Sequence, residues 1–98
     1  MTIADQLNRS IVSISANITE GYSRSTGKDR ALFYQYALGS ARESRDWYYN
    51  ARSVLGEEVF THRSCVIAEI LRLMLTMIPQ QRGSSIREEP VSFEVDSL

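Results

Sequence analysis

Residues 6–21 read QLNRSIVSISANITEG, and this stretch most constrains the fold. Ile3, Leu7, Ile11, Ile14 and Ile18 fall at steps of four, four, three and four. That spacing places them on one stripe of a helix. The rest of the segment is rich in Ser, Asn and Thr, which are mediocre helix formers. A helix built from it must draw its stability from packing rather than propensity. Ser13 and Ala16 are small enough for a second backbone to come close. Gly21 is read as the residue that stops the helix at positive φ.

The rest of the chain extends this helical reading. Both Pro residues lie beyond residue 78, so the strongest helix breaker is absent before that point. Residues 22–28, YSRSTGK, read as a connection, with Thr26 and Asp29 at capping-box spacing. A second helix is expected over residues 28–55. Its inner face is read as Phe33, Tyr36, Ala37, Ser40, Trp47, Ala51 and Val54 or Leu55, with Glu43 and Ser44 at mid-face. Gly39 lies in mid-helix, where a missing Cβ admits a close neighbour.

Gly56 ends the second helix, and residues 57–60 read as a short turn. Thr61 is expected to cap a third helix, and Pro79 to end it. Val66, Ile67, Ile70, Leu71, Met74, Met77 and Ile78 form its apolar stripe, widened by Leu73 and Leu75. A stripe this broad exceeds what two neighbours in a small bundle can cover. Val66, Ile70, Leu73, Met74 and Met77 are therefore the expected oligomer interface.

The expected architecture is all-α: an up-and-down bundle of three helices in residues 1–82, with a short non-helical tail in residues 83–98. Val91, Phe93 and Val95 alternate with Ser92, Glu94 and Asp96 in that tail, which is a strand-like pattern.

Charge and chemistry narrow the function. Residues 1–78 carry nine Arg or Lys against eight Asp or Glu, so no strong overall field for nucleic acid is expected. A local patch remains open: Arg24, Lys28, Arg42, Arg45 and Arg52 are the candidate nucleic-acid contacts. The bland alternative is a solvated helix surface with ion pairs such as Arg42 to Asp46. His62 is the lone histidine and has no orienting partner in the sequence. No Cys or His spacing suits a metal and no phosphate-binding glycine loop is present, so no catalytic residue, metal or cofactor is assigned.

Glu20 and Glu43 are the unusual carboxylates. With Asn17 and Gly21 they are read as a structural polar cluster. A carboxylate-dependent enzyme is the remote alternative, because di-metal bundles also recruit a Glu-x-x-His motif that is lacking here. The single Cys65 excludes an intrachain disulfide and reads as a buried thiol in a reducing compartment. No secretory leader is read in MTIADQLNR, and the most apolar stretch is too short to span a bilayer. A cytoplasmic protein without a membrane partner is expected.

Two segments, QLNRSIVSISANITEGYSR and FYQYALGSARES, carry a resemblance. They resemble the bacterial four-helix-bundle proteins first noted as reading frames in 23S ribosomal RNA intervening sequences. Accessory variability proteins of diversity-generating retroelements are similar. Gln6, Arg9, Ser13, Ile14, Asn17, Ile18, Glu20, Gly21, Phe33, Ala37, Gly39, Ser40 and Glu43 match that pattern position by position. The resemblance implies a bundle that assembles as a cyclic pentamer, and retroelement members that bind nucleic acid and a reverse transcriptase. It also implies that this chain starts at the family's second helix and lacks the first. The function expected is a non-enzymatic oligomeric scaffold or adaptor, with RNA or DNA as a candidate partner. A purely protein-binding regulatory module is the alternative.

Overall fold

A computed structural model describes residues 1–87, which form four helices. These are α1 (Ile3–Tyr22), α2 (Gly27–Asn50), α3 (Arg52–Leu55) and α4 (Glu57–Arg87). The all-α class is as expected, but the count of three helices is corrected to four among the described residues. The second helix does not run unbroken to residue 55. It ends at Ala51, whose φ of -93° and ψ of 4° turn the chain into the single turn of α3. Gly56, at φ 88°, closes that turn in a conformation that favours glycine. Residues 57–60 are then already helical, so Gly56 and not Thr61 precedes the last helix.

α4 also passes through Pro79 instead of ending before it. Proline removes one amide donor, which frees the Leu75 carbonyl. Pro79 is exposed, so water can satisfy that carbonyl and the helix continues. The strand-like pattern of Val91, Phe93 and Val95 lies outside the described residues.

α1 starts from a capping box. The Thr2 hydroxyl accepts from the Asp5 amide at 3.1 Å, and the Asp5 carboxylate accepts from the Thr2 amide at 3.2 Å. Thr26 caps α2 by accepting from the Asp29 amide at 3.1 Å.

α2 is the central element. α1 and α4 each pack along it, and their backbones do not approach one another. The molecule measures 52 × 25 × 15 Å, about one helix thick in its shortest direction. Its core is the strip where the three long helices meet. Ala31, Tyr34, Ala37, Leu38, Ala41, Ser44 and Tyr48 of α2 are buried there, with Ile14 of α1 and Ile67, Met74 and Ile78 of α4. Small residues dominate the α2 face, and they let both neighbours come close. The buried face of α2 is thus rotated by about one residue from the expected one. Tyr36 is 50% exposed, Phe33 and Trp47 are half-buried, and Glu43 is exposed.

A polar seam fixes α1 against α2. Ser44 is fully buried, with its hydroxyl 3.0 Å from the Ser10 hydroxyl and 2.9 Å from the Ser40 carbonyl. The Ser13 and Ser40 hydroxyls are 2.7 Å apart. Asn17 donates to the Ser13 hydroxyl at 3.1 Å and to the Ser13 carbonyl at 2.9 Å. Small hydroxyls give a satisfied polar contact at short helix separation, which sets one register.

Candidate functional site

With α1 and α4 held apart by α2, an open furrow of about 440 Å³ remains between them. Ile11, Ile14 and Ile18 form one wall, and Val66, Ile67 and Ile70 the other. The apolar stripe of α1 is therefore only partly spent on the core: Leu7, Ile11 and Ile18 are half-buried, and Ile3 is 43% exposed. Tyr48 of α2 lies at the base and Arg63 of α4 at the side. A smaller recess lined by Leu7, Leu55 and Val59 continues the furrow and shares Ile11, Tyr48 and Arg63 with it. Arg63 is the one charged side chain lining either recess. Its guanidinium lies 3.4 Å from the Tyr48 hydroxyl and forms no ion pair among the described residues.

The residues expected at an oligomer interface divide in two. Val66 is 44% and Leu73 is 54% exposed, on the furrow side and outer edge of α4. Met74 is buried in the core, and Ile70 and Met77 are half-buried against it.

The expected polar cluster is not one site. Asn17 joins the serine seam within the helix. Glu20 pairs with Arg24 at 2.6 Å, and the Arg24 guanidinium stacks 4.6 Å from the centre of the Phe33 ring. Glu43 projects from the opposite side of α2 with no partner among the described residues. Gly21 does not stop α1. The helix runs on to Tyr22, and among the described residues the positive-φ glycine is Gly56. What Gly21 supplies is room, because it is buried beside Tyr34.

The cationic residues are dispersed and partly neutralised. Arg24 is paired with Glu20, and Arg45 with Asp46 at 3.8 Å; Asp46 thus does not serve Arg42. Arg52 stacks 3.8 Å from the Tyr49 ring centre and donates to the Tyr49 carbonyl at 2.7 Å. Lys28 and Arg42 are exposed without an acidic partner among the described residues. On α4, Arg72 pairs with Glu69.

No group of three His, Cys, Asp or Glu side chains could hold a metal among the described residues. Cys65 is exposed on the outer side of α4, which corrects the expectation of a buried thiol. The apolar run around it made it look internal, but α2 covers only the side bearing Ile67, Met74 and Ile78. Among the described residues no helix is long and apolar enough to cross a membrane.

Fold and surface together define a class: an all-α bundle protein whose prominent surface feature is an apolar seat between two helices. A family model described as 23S rRNA-intervening sequence protein matches residues 1–75, and the chain belongs to that family. No curated protein and no solved structure matches the chain. The expectation of three helices with the family's first one lacking is overturned, because four helices are present among the described residues.

Proposed function

We propose that this protein is a non-enzymatic scaffold or adaptor that acts as a homo-oligomer. The open furrow between α1 and α4 carries this reading. A layer one helix thick cannot bury the apolar residues of both its broad surfaces. Val66 lies exposed at the furrow and Leu73 is exposed further along α4, and exposed large apolar side chains grouped beside an apolar recess mark an interface. A pentamer is the stoichiometry that the family resemblance implies. The free, exposed Cys65 accords with a reducing, cytoplasmic setting. Light scattering at micromolar concentration is expected to give a multiple of the 11.2 kDa chain mass. A monomer mass overturns the proposal.

A second reading, contact with RNA or DNA, draws on Arg52, Arg42 and Lys28. Arg52 stacked on Tyr49 offers a flat cationic surface at which a base can stack. Pairing of Arg24 and Arg45 with acids weakens the field, so this reading stands second. A binding titration at two salt concentrations tests it.

A further inference from the structure

We propose that the furrow of one copy seats the outer ridge of α2 from a second copy, with Arg63 of the furrow facing Glu43 of the ridge. The proposal rests on the homo-oligomeric reading above and specifies its interface.

The furrow selects a helix. Its walls are helices whose backbone groups are satisfied internally, so an extended strand would find no backbone partners there. From Ala4 to Thr19, α1 advances roughly 22 Å at the helical rise. That length takes about four helical turns.

Arg63 selects charge. An all-apolar occupant would bury its guanidinium without a counter-ion, which is strongly unfavourable. The occupant must place a carboxylate within an apolar stripe. The stripe of α1, Ile3, Leu7, Ile11, Ile14 and Ile18, holds none, and the carboxylate on the apolar stretch of α4, Glu69, is already paired with Arg72.

The outer side of α2 meets this requirement. Leu32, Tyr36, Gly39 and Glu43 follow at steps of four, three and four, so they share one side of the helix. Leu32 is 43% and Tyr36 is 50% exposed, although both are large and apolar. Gly39 has nothing within 4 Å of where a Cβ would stand, which leaves a notch for an approaching helix. Glu43 is exposed and unpaired among the described residues. This ridge lies on the side of α2 turned away from the furrow. A furrow on one side and a ridge on the other make a head-to-tail interface. Such an interface closes into a ring if its rotation permits and otherwise runs on as a filament.

Charge exchange tests the pairing in the full chain. Both side chains are exposed, and circular dichroism checks that each variant keeps its helix content. Arg63→Glu and Glu43→Arg are each expected to raise the apparent dissociation constant at least about tenfold in sedimentation velocity. The double variant R63E/E43R is expected to recover the wild-type mass. Mixing the two single variants is expected to give an assembly in which they alternate, since both furrow–ridge pairs between unlike chains are complementary and both pairs between like chains repel. If the wild-type chain oligomerises but Arg63→Glu leaves its mass unchanged, this interface is wrong and the assembly reading survives. If the wild-type chain is a monomer, both fail. A mixture in which the two variants do not associate, when each alone is monomeric, rejects the head-to-tail pairing.

Discussion

Gly21 of α1 lies directly against the ring of Tyr34 of α2. A Cβ at Gly21 would stand 2.7 Å from Tyr34 Cε1 and 3.1 Å from the Phe33 Cβ. Tyr34 is 3% exposed and packed among Ala31, Ala37, Leu38, Met74 and Ile78, so its ring has little room to retreat. The end of α1 is therefore positioned by the size of one residue, and this contact sets how close α1 comes to the start of α2.

Replacing Gly21 with Ala sets two effects against each other. Helix propensity alone favours Ala by roughly 1 kcal/mol at an interior helical position. Overpacking a rigid ring costs about 1–3 kcal/mol. The clash is expected to win, leaving Gly21→Ala less stable by about 1 kcal/mol in urea unfolding. A gain in stability would mean that Tyr34 moves freely.

Gly39 should behave in the opposite way. It is helical, exposed and clear of neighbours within one chain. Gly39→Ala is expected to stabilise the isolated chain by roughly 0.5–1 kcal/mol, measured at dilution where the protein is monomeric. The same methyl group would fill the notch of the proposed ridge. Assembly is therefore expected to weaken as the fold strengthens, a divergence that sedimentation and unfolding curves resolve together.

The serine seam predicts non-additivity. The Ser44 hydroxyl bonds to Ser10, which in turn donates to the carbonyls of Gln6 at 3.1 Å and Leu7 at 3.0 Å. Ser44→Ala removes a buried bond but strands no essential partner, so it should cost about 1 kcal/mol. Ser10→Ala should cost a similar amount. The S10A/S44A double variant is expected to cost less than the sum, because both single changes break the same bond. Strict additivity would show that the two hydroxyls do not interact in solution.

These contacts explain which parts of the fold were legible in the sequence. The α1 stripe could be read because five bulky aliphatic residues repeat at helical spacing. The buried side of α2 is only half legible: Ala37, Ser44 and Ala51 are buried as expected, but the small Ala31 and Ala41 were passed over, while Phe33, Tyr36 and Trp47 sit on the flanks. Bulk signals burial only when neighbours are distant; close helices bury small residues. Glu43 looked internal for the same reason. Pro79 looked like a stop because its cost was judged without solvent, and its exposure lowers that cost. The furrow carries a weak sequence signal, an α4 stripe wider than one neighbour needs. Arg63 was missed because a single Arg between apolar turns resembles any surface charge until Tyr48 and the α1 wall are placed beside it.

The nucleic-acid reading makes a prediction that separates field from stacking. Phosphate contacts release counter-ions, so affinity falls with salt in proportion to the number of phosphates neutralised. With Arg24 and Arg45 already paired to acids, few contacts are expected from one chain, and the salt slope should be shallow. Arg52 is different, because its charge is met by the Tyr49 ring rather than by an acid. Arg52→Lys keeps the charge but loses the planar stack on Tyr49. If bases stack there, this change should weaken binding to single-stranded RNA while leaving duplex DNA and the salt slope unaltered. Fluorescence anisotropy at 50 and 200 mM salt, roughly the range over which such slopes are resolved, measures both. Equal binding of RNA by the wild-type and Arg52→Lys chains would remove Arg52 from the site. The absence of binding to either nucleic acid at the lower salt would leave the apolar furrow as the surface on which this protein acts.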